Sequence, residues 1–439
     1  MQAELLIRAR WVAPVDPAQL LDDHAVAVSA GRIEAILSAA EAERSIEAHE
    51  TIRLDDHLLI PGLVNAHAHS AMTLLRGYAD DLPLDAWLKE RIWPAEARFA
   101  DETFVRDGAL AAAAEMLAGG TTTFADMYFF PEATIESALA LGMRVVSGIV
   151  VIGFATRYAG EPGAYLERGL ALRDACRANP LVSFMLAPHA PWSVNEETLR
   201  RIATIANETE MPIQTHLHET AEEIATSLAA QGRRPLARLA ELGLTGPALA
   251  AVHMTQVNDE DLEGLSRDGV HVIHCPVSNL KLASGFCPVT RLLDAGVNVA
   301  LGTDGAASSG DLDLILEMRT AALLAKGVAG DASALPAPLA LHAATLGGAR
   351  ALGIDDRVGS LVPGKEADMT AIDFGAARLQ PVYDPLSQLV YAASARDVSD
   401  VWVAGARRVE NGVLQDLDES RLRSRLQQWG RRIAGAKDD

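Results

Sequence analysis

The stretch Leu59-Ile60-Pro61-Gly62-Leu63-Val64-Asn65-Ala66-His67-Ala68-His69-Ser70 decides how the rest of the chain is read. A run rich in Leu, Ile and Val, opened by a Pro-Gly pair, reads as a buried strand. It ends in His-x-His, and residues two apart on a strand share a side. His67 and His69 therefore project together from the end of a buried strand, where two imidazoles could share a divalent metal. In a chain with twelve histidines such a pair carries little weight alone. The remaining ligands and a base have to come from elsewhere.

Working outward, strands and helices alternate. Downstream, TTTFADM, RVVSGIVV, LVSFMLAPHA, MPIQTHLHE, ALAAVHM, VHVIHCP and VNVALGTDG read as strands, each followed or preceded by an amphipathic or Ala-rich helical segment. One such helix is capped by Asp101 and closed by Gly119-Gly120. Eight strands alternating with helices predict an α/β fold, a (β/α)8 barrel of the TIM type, over residues 58–362. Residues 1–57 have a different texture of short β runs, with a hairpin expected at Gly31-Arg32. Past Gly364 the β texture returns and ends in a charged amphipathic helix from about Glu419 to Ala436. Neither end is large enough to fold alone. The two are predicted to pair into one small discontinuous β-sandwich domain, 1–57 with 363–439.

Size and charge agree. A length of 439 residues suits one barrel of roughly 250–300 residues plus an accessory domain. The formal net charge of −21 argues against a nucleic-acid backbone or an anionic membrane as partner. No apolar run approaches the roughly 20 residues of a membrane helix, and the N-terminus lacks signal-peptide character. Cys176, Cys275 and Cys287 are few, odd in number and not at CxxC spacing, so a reducing, cytoplasmic location is expected. A homo-oligomer is expected on general grounds.

Chemistry in such barrels sits at the C-terminal strand ends. Collected there are His67 and His69 (first strand), His189 (fourth), His216, His218 and Glu219 (fifth), His253 (sixth), His271 and His274 (seventh) and Asp304 (eighth). Buried polar groups are costly unless paired, so this convergence points to a metal site. His67, His69, one histidine of the fifth strand and Asp304 would give three nitrogens and one oxygen, a set suited to Zn2+, with Fe2+ as the alternative. LVSFMLAPHA offers neither lysine nor acid to bridge a second ion, so one metal is expected.

The segments PGLVNAHAHSAMTLLRGYADDLPLDAWL, IWPAE, APHAPWS, THLHET, HCPVSNLKLASG, LGTDGAASSGDLDLILEMR and GSLVPGKEADM resemble the amidohydrolase superfamily over essentially the full length. Within it they closely resemble the 5′-methylthioadenosine/S-adenosylhomocysteine deaminases and their relatives. The resemblance implies His216 as the fifth-strand ligand, Glu219 as acid/base, and His253 and Asp304 as further catalytic groups. It assigns Glu96 to the ribose hydroxyls and His189 to base or sugar, and implies that Trp87 packs on the nucleoside. His218 is left a supporting role. Ser278, Asn279, Ser308 and Ser309 are expected to line or brace the site.

The implied reaction is metal-dependent deamination of a small nucleoside: 5′-methylthioadenosine, S-adenosylhomocysteine or adenosine. Family members that take S-adenosylhomocysteine place arginines after the third strand. Here SGIVVIGFATRYAGEPGAY contains only Arg157, which favours the apolar methylthio tail. The competing reading on the same scaffold is a free-base (guanine or cytosine) deaminase, or a triazine aminohydrolase or chlorohydrolase. Glu96 discriminates, since a free base has no ribose to hold.

Overall fold

The computed structural model describes residues 1–435. Two eight-stranded sheets dominate it. In one, the strands Leu63–Ala68, Thr121–Asp126, Arg144–Val151, Val182–Pro188, Ile213–Leu217, Leu249–His253, His271–His274 and Val299–Leu301 lie side by side in chain order, each paired parallel with the next. A bridge between Ala68 and Asp304 joins the last connection to the first strand and closes the barrel. These are the eight strands expected from sequence, here called barrel strands 1 to 8.

The other sheet takes strands from both chain ends. Its order runs Val413–Leu414, Ala406–Glu410, Val398–Val403, Met369–Asp373, Glu47–Pro61, Gln2–Val12, Leu21–Ser29, Arg32–Ser38. The N-terminal and C-terminal parts meet where Glu47–Pro61 pairs antiparallel with Met369–Asp373. The strands Leu21–Ser29 and Arg32–Ser38 form the expected hairpin, turned by Ala30 and Gly31 at φ 48° and 73°, as a tight hairpin turn requires.

Strand Glu47–Pro61 continues beyond residue 57, so Leu58 to Pro61 belong to the terminal sheet. Barrel strand 1 therefore starts at Leu63, not at Leu59, and the chain passes from one sheet to the other through Gly62 alone.

A buried ionic group fastens the two sheets together. Arg144 at the start of barrel strand 3 donates to Asp368 at 3.0 and 3.1 Å and to Glu366 at 2.5 Å, all three side chains being buried. Glu366 also accepts from Arg357 at 2.8 Å. The terminal helix Glu419–Ala434 packs on the barrel, where Trp429 Nε1 and Arg425 both donate to Asp107 of helix Glu102–Ala118. The expected last residue of that helix, Ala436, lies outside the described residues. Among the described residues no helix is long and apolar enough to cross a membrane.

Candidate active site

Barrel closure creates the site. Gly302 follows barrel strand 8, and a Cβ placed on it would lie 2.9 Å from the backbone N, backbone O and Cβ of His67. Only glycine permits this approach. The amides of Thr303 and Asp304 then donate to the His67 carbonyl, both at 3.1 Å. His67 lies within barrel strand 1, whereas His69 stands one residue past its end.

His67, His69, His216 and Asp304 each offer one ligand atom, all within 4.8 Å of one another. His216 Nε2 is 3.2 Å from His67 Nε2 and 3.3 Å from His69 Nε2. Asp304 Oδ1 is 3.6 and 3.2 Å from the same two nitrogens. Four donors about 2.05 Å from one ion would be spaced about 3.3 Å apart in a tetrahedron.

The other ring nitrogens fix the tautomers. His69 Nδ1 donates to the Met127 carbonyl at 2.7 Å and His216 Nδ1 to the His189 carbonyl at 2.6 Å. His67 Nδ1 meets Gln214 Oε1 at 2.6 Å, and the same amide donates through Nε2 to the Ala66 carbonyl at 2.9 Å. Each Nδ1 therefore carries a proton, which leaves each Nε2 directed at the common point and free to ligate an ion there. Metal-binding histidines are held in this way.

Asp304 is braced as well. Its Oδ2 accepts from Ser278 Oγ at 2.6 Å and Ser308 Oγ at 2.7 Å, leaving Oδ1 for the histidines. Burial opposes its charge, but His67 and His69 outweigh burial and keep its pKa well below the usual carboxylate value. His69 shows the reciprocal effect: burial lowers it, yet Asp304 holds it up to about 9. A divalent cation at this point would take the place of that proton. The donor set and its geometry thus fit one zinc-like ion.

Glu219 follows barrel strand 5, with Oε2 3.8 Å from His253 Nε2 and Oε1 accepting from Ser284 Oγ at 3.3 Å. Burial, reinforced by the Asp304 charge, pushes its carboxyl up to about 8. The amides of His218 and Glu219 donate to the Glu223 carboxylate at 3.2 and 2.7 Å, which pins the segment. Asn279 Nδ2 donates to His253 Nδ1 at 2.9 Å, so the proton of the neutral ring sits on Nε2, facing Glu219. Burial keeps His253 neutral, at about 4, and His189 likewise at about 3.

Asp304, His253 and His218 adopt left-handed backbone conformations, at φ 59°, 78° and 54°. Such conformations cost of order 1–3 kcal/mol each and persist where the surroundings enforce them.

One cavity of about 1080 Å³ contains the remaining candidates: Trp87, Glu96, His189, Glu219 and Asp304 all line it. Glu96 accepts from Tyr128 Oη at 2.7 Å. Trp93 N–H reaches back five residues to the Leu88 carbonyl, a widened turn just before Pro94 that sets the start of the helix carrying Glu96. Trp87 is buried in an apolar cluster with Met72, Ile92 and Phe99, and its Nε1 donates to the Ala79 carbonyl at 2.9 Å.

One expectation is corrected in detail. His271 lies at the start of barrel strand 7, on the opposite face from the site, bonded to the Pro247 carbonyl and Asn298. His274 ends that strand, as expected, and is buried outside the metal group. His218, expected to support the site and not to ligate, accepts from the Leu236 amide at 3.1 Å and stands outside the metal group. Gln214 was overlooked, as nothing in the sequence marks a strand glutamine as a histidine's partner. Trp93, Phe154 and Trp192 were given no role although they line the cavity.

Residues 58–408 match the description "Amidohydrolase family". This chain belongs to that family. A 5-methylthioadenosine/S-adenosylhomocysteine deaminase of Teredinibacter turnerae is 50% identical over 430 residues, covering 98% of this chain and 97% of the relative. Among solved structures, an adenosine deaminase from Xanthomonas campestris with bound zinc is 49% identical, with a TM-score of 0.97 and 99% of both chains covered. An atrazine chlorohydrolase from Arthrobacter aurescens complexed with zinc is 25% identical, with a TM-score of 0.90 over 97% of this chain and 99% of that one. The barrel and terminal sheet are thus shared widely, while the higher identity goes with the nucleoside deaminases. In this amidohydrolase the four-residue donor cluster stands ready for one divalent metal.

Proposed function

We propose that the protein is a metal-dependent hydrolytic deaminase of 5′-substituted adenosines, 5′-methylthioadenosine foremost, with S-adenosylhomocysteine and adenosine as related substrates. The observation carrying this is that Glu219, at the donor cluster, and Glu96, on a separate connection, line one cavity. A purine can meet the first while its ribose meets the second. A carboxylate suits a cis-diol because it accepts both hydroxyl protons.

His67, His69, His216 and Asp304 would hold the ion, which when bound acts as a Lewis acid and lowers the pKa of water from 15.7 to about 7. The chain's own groups do the rest. Glu219, beside His253 Nε2 and next to the donor cluster, takes the proton of the attacking water and delivers it to the ring nitrogen. His253 donates its Nε2 proton toward the incoming oxygen. Asp304 carries the second proton to the departing amine. Water adds at the purine carbon, and ammonia leaves with the inosine analogue as co-product.

Ammonia release across methylthioadenosine, S-adenosylhomocysteine, adenosine, adenine, guanine and cytosine tests the reading. Nucleosides are expected to lead, and Glu96→Ala is expected to raise KM for nucleosides at least tenfold. A panel in which free bases win would favour the free-base alternative, and dechlorination of a triazine the other. Cytoplasmic location and homo-oligomeric assembly belong to the same proposal. The three free cysteines support the former, and light scattering would test the latter.

A further inference from the structure

A row of rings leads from the metal cluster to the mouth of the cavity. His216 and His189 have ring centroids 4.9 Å apart, and His189 and Trp192 meet edge-on at 5.6 Å. Trp192 lies 6.3 Å from Trp93, and Trp93 lies 5.7 Å from Phe154. The last three come from different connections, after barrel strands 4, 1 and 3. Trp192 remains 51% exposed and Phe154 43% exposed, although both line the cavity. Large aromatic groups left uncovered on a concave wall are groups that a ligand covers. Trp93 stands one helical turn before Glu96, on the same helix face.

Resting on the deaminase reading, we propose that Trp93, Phe154 and Trp192 form the subsite for the substrate's 5′-substituent, and that it selects apolar thioether tails, including tails longer than methyl. With the base at Glu219 and the ribose at Glu96, a 5′-substituent would extend past Trp93, one helical turn from Glu96, onto this row. A thioether sulfur is polarisable and packs well on aromatic rings, and alkyl carbons gain by covering them. The cations nearby are already engaged. Arg238 donates to the Pro191 carbonyl at 2.5 Å, beside Trp192. Arg157 donates to the Arg98 carbonyl at 3.0 Å and faces Asp101 at 3.8 Å. Lys89 is paired with Asp85 at 2.6 Å. The cavity of about 1080 Å³ leaves room beyond a methylthio group.

The test compares kcat/KM for adenosine, methylthioadenosine, 5′-butylthio-5′-deoxyadenosine and S-adenosylhomocysteine on the zinc-loaded enzyme and on Trp192→Ala and Phe154→Ala. The butylthio compound is expected to match or exceed methylthioadenosine. Each variant is expected to lose about tenfold on both thioethers, through KM, and to stay within about twofold on adenosine. Rejection of the butylthio tail, preference for S-adenosylhomocysteine, or equal losses on adenosine would overturn the proposal. A preference for S-adenosylhomocysteine would also point to Arg238 or Arg157 as its carboxylate partner. Binding of 5′-butylthio-5′-deoxyinosine against inosine, read by tryptophan fluorescence, needs no turnover. It separates failure of the tail subsite from failure of the deaminase reading: tighter binding of the thioether upholds the subsite, and equal binding refutes it.

Discussion

Ser278 Oγ donates to Asp304 Oδ2 at 2.6 Å, and this bond turns the other carboxylate oxygen toward His69, 3.2 Å away. Ser278 is fully buried and sits on the short helix Pro276–Lys281, next to Asn279, which holds His253. One turn of helix thus orients a metal ligand and the histidine facing Glu219.

Removing that hydroxyl should loosen the ion without unfolding the barrel. Partners of this kind are worth about 10–100-fold in metal affinity. Ser278→Ala is expected to weaken zinc binding by that factor in competition with a chelator, with Ser308→Ala adding to it. Unchanged affinity in the double variant would show that Asp304 needs no such support.

Asn279→Asp should reverse the His253 tautomer, because a carboxylate accepts where the amide nitrogen donates. The proton would move to Nδ1, and Nε2 would lose its donor role. A fall in kcat of about 10²-fold is expected, with zinc content and nucleoside KM nearly unchanged. A matching loss of zinc would mean that Asn279 acts on the ligand cage instead.

At Gly302 the question is purely steric. An added Cβ would sit 2.9 Å from the His67 backbone, forcing strand 8 away from strand 1. Gly302→Ala is expected to destabilise the fold by roughly 1–3 kcal/mol and to lower zinc occupancy at the same time. Thermal denaturation with metal analysis checks both.

Acid should loosen the join between the two sheets. Burial alone would raise the Glu366 carboxyl, but Arg144 and Arg357 outweigh it and hold it below the ordinary glutamate value. A lowered folded-state pKa contributes stability above the unfolded value, and that contribution is lost as pH falls through the folded value. Tm is therefore expected to drop on acidification below about pH 4.5, and Glu366→Gln, already weakened at neutral pH, should show a shallower drop. Parallel curves for both proteins would exclude Glu366 as a source of the acid sensitivity.

Much of the architecture was legible because barrel strands are buried on both faces and read as apolar runs between amphipathic helices. His67, His69, His216 and Asp304 could be collected because they lie at or just past strand ends. The strand-end rule misplaced His271, since one residue type at either end of a four-residue strand gives the same local pattern. It also began barrel strand 1 too early: Leu58–Pro61 is equally apolar, and only pairing with Met369–Asp373 assigns it to the other sheet.

What the sequence alone determined is the order of the β/α units, the ligand types and the acid, since periodicity and residue chemistry are local properties. What the tertiary structure decided is which atoms face the metal and which wall the tail meets. Gln214 across the barrel from His67, Ser278 on Asp304, Asn279 on His253, and the convergence of Trp93, Phe154 and Trp192 each join residues far apart in the chain. Hydrogen-bond direction and ring proximity arise only once eight strands close on themselves, and no local pattern encodes them.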